Sequence, residues 1–303
     1  MTFLVIGECV ADIVREPGAP DAVHPGGSPA NVAYGLARLG RDTTLLTQLA
    51  DDDAGRLIGG HLAGAGVRVA VGGAPARTPS AVVTLDGSGR AAYAFDIAWT
   101  LTADAPPATP GPVRHVHLGS IAAVTEPGAG SVLALTRRLR PVATVSYDPN
   151  VRPALMGERG AAVARVERCV GLADLVKASD EDLDWLYPGE APEAVAARWL
   201  ALGPAVVLVT RGAAGSLAVT RGHTVRAAAP PVAVVDTVGA GDSFMAAVLD
   251  ALAGTDRPGL AALGAGDLAG LLARAGAAAR VTVGRAGARL PDRAELEAAL
   301  AAG

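Results

Sequence analysis

The stretch Asp236-Thr237-Val238-Gly239-Ala240-Gly241-Asp242-Ser243-Phe244-Met245-Ala246 decides how this chain is read. It leads into a run, 243–253, of helix-forming composition with apolar residues at Phe244, Val248 and Leu252, the spacing of one helix face. Gly239, Ala240 and Gly241 then fall in the first turn. Backbone N–H groups there have no intrahelical acceptor, and the helix dipole adds partial positive charge. Small side chains leave room for a phosphate to approach those donors. Asp242 stands beside them, a carboxylate able to take a proton from an attacking hydroxyl. An anion cradle with a base in reach is the minimum equipment for phosphoryl transfer. A plain turn followed by an Asp cap is the other reading of the same residues.

Working outward, Gly26-Gly27-Ser28-Pro29-Ala30-Asn31 opens a second glycine turn that feeds a helix. Ser28 suits the N-cap and Pro29 the first helical position. Val32, Leu36 and Leu39 supply an apolar stripe, and Gly40 ends it. Asn31 is a weak helix former in the first turn. It is either a local cap partner or an amide that hydrogen-bonds a polyol.

Elsewhere, short apolar runs at 3–7, 43–48, 115–118, 143–147, 175–177 and 205–210 alternate with helical patterns. That order predicts a mostly parallel sheet covered by helices, with ligands beyond the carboxyl ends of the strands. Asp12, Asp148, Asn150, Lys177, Thr210 and Arg211 end or follow such strands. Between about Val67 and Trp99 the texture changes. Two short runs, 81–85 and 90–95, flank Asp86-Gly87-Ser88-Gly89 and read as a hairpin. Asp96 and Trp99 follow it, either touching substrate or belonging to solvent and packing.

Composition narrows the classes. Of 303 residues, 50% are apolar, which is enough for a sizeable core. A net charge of −4 without a basic stripe argues against nucleic acid as a partner. No charge-free apolar stretch reaches the length of about 18 residues that a membrane span requires. The N-terminus lacks a basic n-region and reads as a buried strand, not a signal peptide. Cys9 and Cys169 alone indicate a reducing compartment, so a cytoplasmic location is expected. The sole lysine, Lys177, follows Val176, so the Gly-Lys-Ser/Thr of a P-loop is absent. No Gly-x-Gly-x-x-Gly follows the first strand, which disfavours a Rossmann dehydrogenase. His115 and His117 share one strand face with no Cys or acidic cluster nearby, and read as structural.

The two glycine segments resemble the two signatures of the PfkB, or ribokinase-like, carbohydrate kinases. The resemblance covers nearly the whole chain in the expected order. It includes Gly7-Glu8-Cys9-Val10-Ala11-Asp12, Tyr147-Asp148-Pro149-Asn150-Val151-Arg152, Lys177-Ala178-Ser179-Asp180-Glu181-Asp182 and Val209-Thr210-Arg211-Gly212-Ala213-Ala214-Gly215. It implies an α/β fold, a three-layer α/β/α sandwich with a mostly parallel central sheet. A single domain is expected over 1–303, with a small β-stranded lid inserted at roughly 10–26 and 67–100. In such kinases the lid is often shared between subunits, so a homodimer is expected.

The same resemblance implies an ATP-dependent sugar kinase and assigns roles. Asp242 is the base, and Gly239, Ala240 and Gly241 hold the transferring phosphoryl. Asp12 and Asn31 meet sugar hydroxyls, with Gly26 and Gly27 allowing close approach; for Asp12 a turn cap is the alternative. Arg152 pairs with phosphate or a substrate carboxylate, or forms an ordinary surface ion pair. Thr210, Arg211 and Gly212 contact nucleotide phosphates, and Lys177, Ser179, Gly241 and Ala278 complete the ATP site; for Ala278, near where the adenine pocket closes, plain helix packing is the alternative. Ser179 and Asp182 stand where the family usually has Asn-x-x-Glu. They either hold Mg²⁺ through water or form a helix capping box. Asp236 helps hold a monovalent cation, K⁺, as in some relatives. Ribokinases and sugar-phosphate kinases of this family commonly carry lysine after the Gly-Gly pair; here Ser28-Pro29 looks most like fructokinases. Fructose is therefore the first acceptor, followed by 2-keto-3-deoxygluconate and nucleosides or ribosides. A sugar- or nucleotide-binding regulator without turnover is the reading from a different class.

Overall fold

A computed structural model describes residues 1–15, 18, 20–73, 75–85, 91–103 and 105–302. The turn expected at 86–89 lies outside the described residues. The strands are β1 (Thr2–Ile6), β2 (Val10–Arg15), β3 (Ala22–Gly26), β4 (Thr43–Thr47), β5 (Arg68–Val71), β6 (Ser80–Leu85) and β7 (Ala91–Asp96). They continue as β8 (Val113–Gly119), β9 (Thr144–Asp148), β10 (Leu175–Ser179), β11 (Val206–Thr210), β12 (Ser216–Val219) and β13 (Thr224–Ala227). Nine form one sheet in the order β13-β12-β11-β10-β9-β8-β1-β4-β5, parallel except at β12 and β13. Four more, β3-β2-β6-β7, form a mixed lid sheet.

The first strand shows why the sheet lies in the middle. All five residues of β1 are buried. Phe3 and Val5 enter one apolar cluster; Leu4 and Ile6 enter another. Alternate side chains point to opposite faces, so a strand apolar at every position must be covered on both. Helices on each side complete the three layers. The six strand runs read from sequence all join the main sheet. The short strands β5, β12 and β13, of four residues each, had no readable pattern. β5 lies within the stretch assigned to the lid but pairs with β4 in the main sheet.

The helix Ala240–Ala251 is buried continuously from Asp242 to Asp250, not along one stripe. It lies between the helix Ser28–Arg38 and the long helix Ala265–Val283. Gly35 lets the first of these approach: a side chain there would begin 2.8 Å from Ala246 Cβ and 2.5 Å from Leu290. That contact holds the N-termini of the two helices side by side.

The histidines are structural. His115 bonds Thr144 and Ser146 at 2.8 Å, and His117 bonds the same Ser146 hydroxyl at 2.8 Å. Burial pushes both imidazoles down to about 3, so they are neutral in the fold. Among the described residues no group of three or more His, Cys, Asp or Glu is placed to hold a metal ion. No helix among them is long and apolar enough to cross a membrane.

Candidate active site

Strand order reverses at β1, which has β4 on one side and β8 on the other. In open α/β sheets the crevice beyond the carboxyl ends at such a point takes the ligand. A cleft of about 700 Å³ opens there, under the lid. Its wall includes Glu8 after β1, Ser120 after β8, Asn150 and Arg152 after β9, and Lys177 and Ser179 on β10. Asp12, Phe95 and Ile97 enter it from the lid side. A second, mostly apolar cavity of about 450 Å³ adjoins it, and both are lined by Thr210, Gly212, Thr237 and Gly241.

Asp242 faces the first cavity close to this junction, 9% exposed. Its Oδ1 accepts from the Ser28 hydroxyl at 2.6 Å and its Oδ2 from Asn31 Nδ2 at 2.8 Å. Gly239 caps the helix in the left-handed region, φ 77°. Ala240 N–H turns back to the Thr237 carbonyl at 3.2 Å. The N–H groups of Gly239, Gly241 and Asp242 find no acceptor among the described residues. Open donors, a helix N-terminus and a fixed carboxylate therefore meet at one point, which suits an anion beside a proton acceptor.

Lys177 closes the other side. Its Nζ donates to Asp148 at 2.9 Å in a buried ion pair and lies 2.9 Å from where a side chain on residue 241 would begin. Burial works against the ammonium, but Asp148, Asp182 and Asp242 outweigh it and raise its pKa. Burial, helped by Asp182 and Asp242, outweighs the pull of Lys177 on Asp148 and pushes that carboxyl up to about 6. Three carboxylates crowd one cation, and protons are held more tightly on Lys177 and Asp148.

The model of the pfkB family of carbohydrate kinases matches residues 3–295. The chain belongs to that family. The kinase is 34% identical over 305 residues to a fructokinase of Klebsiella pneumoniae, covering 98% of each chain. Its fold matches a double-mutant fructokinase of Vibrio cholerae O395 in a fructose-, ADP- and potassium-bound form, with TM-score 0.84 and 28% identity over 99% of this chain and 98% of that one. An aminoimidazole riboside kinase of Salmonella enterica, bound to aminoimidazole riboside and an ATP analog, matches with TM-score 0.82 and 25% identity over 99% and 100% of the two chains.

The kinase brings most of the sequence-assigned residues to this cleft, with several changes. Ser28 is not the N-cap: Gly27 is, without a side-chain bond, and Ser28 turns to Asp242 instead. Gly26 sits against Asp12, whose Oδ2 lies 2.0 Å from where a Gly26 side chain would begin. Ser179 and Asp182 form the capping box, and Asp182 Oδ1 also accepts from Val151 N–H at 2.7 Å. Asp236 accepts from Val238 N–H at 3.0 Å and Gly287 N–H at 2.8 Å, and those bonds lower its pKa. Arg152 turns its guanidinium to Asn150 and the Val151 carbonyl. Arg211, held to the Ala214 carbonyl, lines neither cavity.

Ala278 leaves the ATP-site assignment for its alternative, helix packing. It is 1% exposed and belongs to the core, whereas Gly276, Ala279 and Val283 of the same helix line the second cavity. The alanine-rich run 275–279 gives no contrast from which to read its facing. Trp99 is also core, and Asp96 pairs with Arg77 at 2.9 Å; neither lines the cleft. Phe95 and Ile97 do.

Glu8 was missed as a site residue, although a carboxylate one position past a buried strand was a legible signal. It is 2% exposed, and Ala122 N–H donates to it at 3.2 Å. Burial dominates and pushes it up to about 7, against bonds from the backbone and Ser120 and the charge of Arg152. Above pH 7 the fold buries its charge; as pH falls through 7 the native state takes up a proton that the unfolded chain does not bind until near 4.5. Stability from this group therefore rises with falling pH across that window. We expect Glu8→Gln to be more stable than the parent at about pH 8.5, with the advantage shrinking by up to about 3 kcal/mol by pH 5. Urea unfolding of both proteins across that range checks it; a pH-independent difference would contradict the buried-charge account.

Proposed function

We propose that this kinase transfers the γ-phosphoryl of ATP to a hydroxyl of a small neutral sugar, with fructose the first acceptor. The observation that carries this reading is the position of Asp242. Its carboxylate is fixed by Ser28 and Asn31 beside open N–H donors near the meeting of a cavity of mixed polarity and an apolar one. ATP would enter from the apolar side, along Gly276 and Ala279, with its phosphates reaching Thr210, Gly212 and Gly241. The sugar would lie among Asp12, Asn31 and Arg152. The acceptor oxygen bonds to the γ-phosphorus, the bond to the ADP oxygen breaks, and the hydroxyl proton passes to Asp242. Gly239 and Gly241 N–H groups, with Lys177 beside them, meet the charge on the transferring group.

Metal roles follow the donor set. Both Asp182 oxygens already accept backbone N–H bonds, so Mg²⁺ would be reached through water by their remaining lone pairs and held mainly by the phosphates. Asp236 stays ionised and ties its loop to Gly287, which fits a K⁺ ion steadying the segment that carries Gly239 and Gly241. A cytoplasmic homodimer sharing its lid completes this reading.

The acceptor wall favours a neutral sugar: Glu8 and Asp12 oppose one Arg152. An assay of ATP consumption with Mg²⁺ and K⁺ on fructose, ribose, 2-keto-3-deoxygluconate, adenosine and fructose 6-phosphate tests it. Fructose should lead, with the two anionic acceptors at least roughly tenfold lower in kcat/KM. Preference for adenosine would move the assignment to ribosides. Binding of ATP and sugar without turnover on any acceptor would favour a regulator.

A further inference from the structure

Serine at the start of a helix ordinarily accepts a bond from a backbone N–H of the first turn. Ser28 does not. The Asn31 N–H goes to the Gly27 carbonyl at 2.9 Å, and the helix Ser28–Arg38 has no side-chain cap. The Ser28 hydroxyl instead reaches across to Asp242, a residue 214 positions away in sequence, at 2.6 Å in a buried contact. Among the described residues it is the only partner of Asp242 Oδ1; Asn31 holds Oδ2. Both ends of the bond sit on helices brought together at Gly35.

We infer that Ser28 is a positioning residue for the reaction: its hydroxyl fixes the carboxylate plane of Asp242 so that Oδ2 faces the acceptor. The inference rests on Asp242 being the base. Asn31 must divide its amide between Asp242 and a bound sugar, so it alone does not set the rotation of the carboxylate. Ser28 supplies a second, buried anchor at the far oxygen. A carboxylate held at both oxygens keeps one orientation before the acceptor arrives, and misplacement by even about 1 Å is costly to a reacting geometry.

The test is single-turnover phosphoryl transfer to fructose, measured by rapid quench on the full chain. Ser28→Ala should slow transfer roughly 10- to 50-fold, the effect of losing one bond to a charged group. KM for fructose should stay within about twofold, and Ser28→Thr, which keeps the hydroxyl, should recover most of the rate. On an Asp242→Asn background, Ser28→Ala should add no further loss, because the two act as a unit. Wild-type transfer by Ser28→Ala, with Asp242→Asn disabled, would overturn the positioning role alone. A loss confined to KM, or one that persists in full on the Asp242→Asn background, would overturn it too, assigning Ser28 to acceptor binding or packing. Full activity of Asp242→Asn would instead remove the base assignment itself.

Discussion

Asp242→Asn should lower phosphoryl transfer to fructose by roughly 10²–10⁴-fold, the usual span for loss of a general base. The substitution is nearly isosteric, so Ser28 and Asn31 keep a partner of the same shape at their present contacts. What disappears is the proton acceptor. The phosphoryl transition state is loose, and the acceptor hydroxyl becomes acidic only as its bond to phosphorus forms. A carboxylate near a helix N-terminus is therefore sufficient, and no unusually strong base is needed. Steady-state rates with saturating ATP and fructose give the loss, and calorimetric binding of fructose should remain within a few-fold of the parent. A folded variant that retains its rate would show that the proton leaves by another route, and would leave Asp242 as a structural partner of Ser28 and Asn31.

The largest stability effect should come from the other end of the same helix. Asp250 is 3% exposed and accepts from Arg41 at 2.7 Å, Arg293 at 2.7 Å and Arg274 at 2.9 Å. Burial opposes its charge, but bonds from Arg293, Arg41 and Arg274 outweigh it and lower its pKa. One carboxylate thus joins the segment before β4, the helix Ala265–Val283 and the helix Arg293–Ala301. Removing one partner of a buried charge group costs about 3–5 kcal/mol, chiefly because the remaining charges lose their compensation. The three arginines are partly exposed, at 35%, 46% and 18%, and can turn to water. We therefore expect Asp250→Ala to lose about 3 kcal/mol, the lower end of that range. Denaturant unfolding measures it, and Arg41→Ala, which strips a more exposed partner, should lose clearly less. Equal small losses below about 1 kcal/mol in both variants would mean that the cluster behaves as an ordinary surface network.

Much of the site was legible because its chemistry is local. Gly239, Gly241 and Asp242 are neighbours in sequence, and a helix N-terminus needs only a short segment to present its donors. Gly26, Gly27 and Asn31 are legible for the same reason. The parallel strands could be read because burial on both faces demands continuous apolar runs, as in β1 and β11. The capping box at Ser179 and Asp182 was one of two readings that spacing allowed, and it forms.

What sequence did not decide was which side chains meet. Ser28 read as a cap because nothing nearby told it of a carboxylate 214 residues on. Ala278 and Ala279 are chemically identical neighbours, and only packing turns the first to the core and the second to the cavity. Trp99, which sequence left between substrate contact and packing, is enclosed in the core, and Glu8, to which sequence assigned no role, lines the cleft. Sequence by itself determined the class of fold and the candidate anion site, a helix terminus with Asp242 beside it, because each depends on contiguous residues and backbone periodicity. The carboxylates that line the cleft, the partners of Asp242 and the face that the helix Ala265–Val283 shows to the second cavity were decided only by tertiary structure. They depend on distances between segments that chain order does not encode locally, and on burial, which alters a carboxyl such as Glu8 only once the surrounding elements have closed over it.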